Sequence, residues 1–170
     1  IREDNNDDKN IVLIRVDSSR TTELKVEVKD LEKVTGESDA DKTLYYWKNE
    51  TDKKPTEVTI DKAAKVFYNG LMAEMNIADI VKLQSGHIEL IDVNRDESFD
   101  YIFITEYRNL VVDEVSLVSY KISDKYNLFT LTLDPNDKNI SFKILKDGKA
   151  IKLEDINEWD ILSVAMDKAN

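Results

Sequence analysis

Between His87 and Glu106 the chain runs HIELIDVNRDESFDYIFITE, and Asp92, Asn94, Asp96, Ser98 and Asp100 place an oxygen-bearing side chain at every second position. Oxygen donors suit a hard cation, and calcium takes about six to eight of them, so one turn with this spacing supplies several. Asp92, Asn94 and Asp96 are the expected first three ligands. Ser98 would follow through its carbonyl or side chain, and Asp100 would close the set directly or through water. The bland alternative is an acidic turn that keeps a hydrophobic hairpin in solution.

The loop resembles an EF-hand loop, with two departures. Its sixth position, normally Gly, is Glu97, which incurs a backbone penalty if it takes positive φ. Its twelfth is Phe103 rather than a bidentate Glu. The strand-flanked calcium loops of β-propeller and surface proteins, which close on Asp at the ninth position, are a nearer comparison. Other chemistry has less behind it. His87 is the single histidine and cysteine is absent, so zinc finds few of its preferred ligands. His87 would have to be the base of any Ser-His-Asp arrangement and reads more simply as a turn residue. Four scattered glycines do not make a phosphate loop. No enzyme is expected. Tyr45 and Trp47 share one face of a strand and could stack on sugar rings, although Trp47 and Trp159 read more simply as core anchors.

The elements that must hold these residues are strands. Ile88–Ile91 and Tyr101–Ile104 flank the acidic loop as a buried hairpin. Leu24, Val26 and Val28 alternate with Lys25, Glu27 and Lys29, the period of a half-buried strand. Further strands are expected at Ile11–Val16, Thr43–Trp47, Val58–Ile60, Val115–Ile122, Phe129–Leu133, Ile140–Leu145 and Ile161–Ala165. Asn69-Gly70 and Asp147-Gly148 signal tight hairpins. Met75–Leu83 suits a short helical turn capped by Asn76. No segment keeps a 3.6-residue apolar period. The fold class is therefore all-β, with at most short helical turns.

Thr56–Ile80 and Phe129–Ile156 share one order of features: an alternating strand ending in Asp (Asp61, Asp134), an Asn-Gly or Asp-Gly hairpin, and a closing Asp-Ile. This internal repeat suggests two tandem small barrel-like or sandwich-like β domains, at 11–108 and 109–170, after an acidic linker or frayed end at 1–10. The Asn69-Gly70 hairpin, the Ile88–Asp92 strand entering the acidic loop, Tyr101–Ile104 and Glu158–Ala165 resemble β-rich modules of clostridial and other Gram-positive cell-surface proteins, which often carry S-layer homology domains. That resemblance spans Val58–Ala165. It implies an extracellular structural, spacer or adhesion module of a larger secreted protein, with no activity attached and with its parent's other domains and the cell wall as partners.

The bulk composition agrees. The chain has 24 basic and 35 acidic residues, a net charge of −11, and no evident Lys/Arg stripe, so nucleic acid and anionic lipid are poor partners. No apolar run approaches the ~20 residues that span a bilayer, so no membrane insertion is expected in this segment. Beginning at Ile1 without a signal sequence, the chain reads as an excised or processed piece.

Overall fold

The computed structural model describes residues 21–166, together with the backbone of two short strands nearer the start. The rest of the expected 1–10 linker, and Ile14–Val16 of the first expected strand, lie outside the described residues. The protein is all-β, and among the described residues its helical segments are short 3-10 turns. Among those residues no helix is long and apolar enough to cross a membrane. The chain divides into two compact units, Ile1–Glu106 with Met166–Asn170, and Tyr107–Ala165. The division lies at Glu106/Tyr107, where the sequence suggests Arg108/Asn109, and Met166 groups with the first unit.

In the first unit β1 (Arg2–Glu3) pairs with β2 (Ile11–Leu13). Then come β3 (Thr22–Glu27), β4 (Leu31–Thr35), β5 (Lys42–Tyr46), β6 (Thr56–Tyr68), β7 (Leu71–Ala73), β8 (His87–Asp92) and β9 (Ser98–Thr105). They form one sheet in the order β3-β8-β9-β6-β5-β4, with β7 also on β6. The hairpin β8–β9 sits inside this sheet. Ile88, Leu90 and Ile102 are fully buried and pair across it, while Glu89 faces solvent, as strand alternation requires. With Leu44, Tyr46 and Ile60 they make the core. Ile80 completes it from the 3-10 turn Ile77–Lys82, whose cap Asn76 accepts the Ala78 N–H at 3.0 Å.

The sequence suggests a strand at Val58–Ile60 and a separate hairpin at Asn69-Gly70, but β6 runs unbroken from one to the other. Ile60 pairs with Phe99 but Lys65 with Tyr101, so residues 61–64 bulge out of the parallel β6–β9 ladder. Asp61 Oδ1 accepts the Ala63 N–H at 2.6 Å inside that bulge. A bulge bends its strand and adds twist, which curls the sheet around its core. Past it, Phe67 stacks on Phe103 with ring centroids 4.9 Å apart.

Asn69 and Gly70 turn β6 into β7 with φ of 45° and 91°, the paired positive values that an Asn-Gly hairpin needs. The Asn69 side chain has a second task. Its Nδ2 donates to the Met166 carbonyl at 2.6 Å and the Glu106 carbonyl at 3.3 Å, and its Oδ1 accepts the Glu106 N–H at 2.9 Å. One side chain thus ties down the points where the chain leaves the first unit and returns to it.

The second unit contains β10 (Arg108–Ser116), β11 (Lys121–Asp124), β12 (Thr130–Thr132), β13 (Ile144–Lys146), β14 (Lys149–Ile151) and β15 (Ile161–Val164). Four of them form an antiparallel sheet in the order β12-β11-β10-β15, and among the described residues β13 pairs only with β14. Leu110, Val112, Ile122, Leu131 and Ile156 are its buried apolar side chains. The strand expected at Val115–Ile122 is broken by a turn in which Tyr120 takes φ 52°. Asn69-Gly70 and Asp147-Gly148 each turn a hairpin that leads to a 3-10 segment. The approach differs: β6 is continuous, whereas an irregular stretch separates β12 from β13.

Candidate functional site: the Asp92–Asp100 loop

β8 ends on Asp92 and β9 begins on Ser98, so the acidic loop joins two strands in the interior of the sheet. Asp92 is almost completely buried, and its carboxylate organises the turn. Oδ1 accepts the N–H groups of Asn94 at 3.1 Å and Arg95 at 2.6 Å, and Oδ2 accepts that of Glu97 at 3.2 Å. Wrapping three amides around one carboxylate requires sharp backbone reversals. Arg95 and Glu97 accordingly take φ of 62° and 71°. The sixth loop position does adopt the conformation for which Gly is usual, at a non-Gly residue.

Asn94, Asp96 and Asp100 repeat the device. Asn94 Oδ1 accepts the Asp96 N–H at 3.1 Å, Asp96 Oδ1 the Ser98 N–H at 3.0 Å, and Asp100 Oδ2 the Val93 N–H at 2.9 Å. Asn94 Nδ2 also donates to Asp96 Oδ2 at 2.9 Å. The structure thus joins Asp92, Asn94, Asp96, Ser98 and Asp100 in one hydrogen-bonded loop, with the acids turned toward backbone amides. Among the described residues no group of three or more Asp, Glu, His or Cys converges as a ready metal cage.

Two features bear on whether a hard cation fits. A carboxylate offers about four lone-pair sites, and Asp92, Asp96 and Asp100 accept three, two and one of the hydrogen bonds above, which leaves acceptor capacity on each. Ser98 Oγ is sealed from solvent without a hydrogen-bond partner among the described residues. An orphaned hydroxyl of this kind costs roughly 1–3 kcal/mol, and it belongs to an expected ligand. The donor set is all oxygen and fits calcium in chemistry.

The aromatic residues are placed differently from the core reading. Trp159 is 61% exposed and Trp47 half-buried, so neither anchors a core; Tyr46 does. Trp159 sits in a turn at φ 71° with its ring exposed, and the Lys125 ammonium lies 3.5 Å from the ring centroid. Tyr45 and Trp47 are both half-buried, and Lys33 Nζ lies 4.8 Å from the Tyr45 ring centroid. His87 opens β8 with a side chain 14% exposed, 3.5 Å from Glu89 Oε1.

Sequence reasoning missed Asp124. It ends β11 as Asp92 ends β8, and it is equally buried. Its carboxylate accepts the N–H groups of Val111 at 2.9 Å, Tyr126 at 2.9 Å and Leu128 at 3.0 Å. The bond from Leu128, aided by those from Val111 and Tyr126, holds its carboxyl below the usual range against the opposing effect of burial. The available signal was Asp124 three residues before Asn127, an Asx turn closed by a residue tolerant of positive φ, here 56°. Lys125 beside it bonds Glu158 at 2.9 Å and Asp113 at 3.3 Å, which raises its pKa, the Glu158 bond contributing most.

Compared with known protein families, characterised proteins and solved structures, the chain matches none.

Proposed function

We propose that the protein is a non-catalytic structural, spacer or adhesion module of a larger secreted bacterial cell-surface protein, stiffened by a calcium ion at the Asp92–Asp100 loop. One observation carries the proposal. A non-Gly residue, Glu97, is held at φ 71° around a buried Asp92 carboxylate, beside the orphaned Ser98 hydroxyl. Strain and an unmet hydrogen bond at one place favour a ligand that compensates both. Asp92, Asn94, Asp96, Ser98 and Asp100 would hold the ion, and its charge would relieve repulsion among the acids. The resemblance to Gram-positive surface modules supports the extracellular setting, where millimolar calcium suits a weak site of this kind.

The alternative, a carbohydrate-binding face on Tyr45 and Trp47, has less support, because the Lys33 ammonium lies over the Tyr45 ring. Pulldown on insoluble polysaccharide and purified cell wall tests it directly. For the calcium reading, thermal melts of chelator-stripped protein are compared with and without calcium, and with magnesium. A rise with calcium that Asp96→Ala abolishes is expected, since a ligand bound only to the folded state stabilises it by mass action. An unchanged melt at millimolar calcium overturns the proposal.

A further inference from the structure

The segment Lys138–Lys152 departs from the rest of this acidic chain. It holds five lysines and one acid, Asp147, for a net charge of +4, whereas the first unit carries 16 basic and 25 acidic residues, a net of −9. No Lys/Arg stripe is evident in the linear sequence, but strand pairing creates one. Lys146 pairs directly with Lys149 across the hairpin, and Ile144 with Ile151 on the same face. Lys143 precedes β13 and Lys152 follows β14, flanking Leu145 and Ala150 on the other face.

This hairpin is under-satisfied in three ways. Among the described residues β13 and β14 pair with no other strand, and an isolated two-stranded hairpin is marginal in water. Like charges directly opposite one another destabilise it, and among the described residues Lys143, Lys146 and Lys149 enter no ion pair. Phe142 and Leu145 are left 40% and 51% exposed. An acidic partner surface would relieve all three, by neutralising the lysines, covering the apolar side chains and pairing a free strand edge.

We infer that the β13–β14 hairpin is a docking element for the acidic first unit of a second copy of this chain. This reading stands independently of calcium at the Asp92–Asp100 loop. Charge complementarity selects the occupant: the first unit carries a net charge of −9 and is present at the same concentration as the hairpin. Two copies repel as whole molecules, but at about 0.15 M salt the screening length is about 8 Å, so the facing patches decide the outcome. Contact between unlike surfaces either closes reciprocally as a two-fold dimer or propagates as rings or open chains, and both suit an assembly module.

Sedimentation velocity of the full chain over a concentration series tests this. Self-association is expected at about 0.15 M salt and its loss at about 1 M. Lys149→Glu should weaken association by about tenfold while the thermal melt is retained, because it also replaces an opposed Lys pair with an ion pair. A chain that stays monomeric at every salt concentration overturns the inference. So does association that Lys149→Glu leaves unchanged, or a monomer that instead binds anionic vesicles through these lysines.

Discussion

Asn69→Gly separates turn propensity from anchoring. Gly accepts the φ of 45° at this position without strain, so the β6–β7 turn survives. What disappears is the set of three hydrogen bonds to Met166 and Glu106, at 2.6, 3.3 and 2.9 Å. At roughly 0.5–1.5 kcal/mol each, and with the longest counted low because the site is only half-buried, the loss is about 2–3 kcal/mol. For a unit of this size that lowers the melting temperature by about 10 °C. Urea unfolding followed by circular dichroism measures it. The control is Asp147→Gly, at the corresponding position of the β13–β14 turn, with φ 52° and no side-chain hydrogen bond among the described residues. It should stay within about 0.5 kcal/mol of the parent. Asn69→Asp should lose at least as much as Asn69→Gly, since it keeps the acceptor for the Glu106 N–H but sets a carboxylate oxygen against two carbonyls. Equal losses for Asn69→Gly and Asp147→Gly would refute the anchoring role.

Gly86 has φ 101°, and a Cβ there would lie 1.8 Å from the Thr105 carbonyl oxygen, so Gly86→Ala should cost about 3 kcal/mol or more. Gly148→Ala, with nothing within 4 Å of the added carbon, should cost only about 1 kcal/mol of backbone strain, and paired urea melts compare the two. Asp124 has its folded-state pKa held below the unfolded value, so its stabilisation is present above the usual carboxylate range and is lost as pH falls through the folded pKa. Asp124→Asn should therefore be less stable than the parent at neutral pH, with the gap closing below about pH 4 in a melt series. A constant gap across that range would contradict the linkage.

Local signals carried much of the architecture. Asn69-Gly70 makes its hairpin, Asn76 caps its turn, and Ile88–Ile91 pairs with Tyr101–Ile104 around the acidic loop, because each rests on contacts between near neighbours in sequence. The parallel β6–β9 pairing was not legible, since a period of two says which residues face inward but not which strand lies alongside. The bulge at residues 61–64 looks like a break between strands for the same reason. Trp159 lies exposed in a turn, although aromatic bulk argues for burial. Within the loop the spacing of oxygens was legible. The hub role of Asp92, and its counterpart at Asp124, depends on amides that only the folded backbone brings together.

Calorimetric titration of chelator-stripped protein with calcium tests the central claim most directly. One ion per chain, bound with millimolar affinity or tighter and lost in Asp96→Ala and Asp100→Asn variants that still fold, is the predicted result. No heat and no change in the loop amides of Asn94–Ser98 at millimolar calcium would contradict it, and the Asp92 carboxylate would then be a purely structural hub.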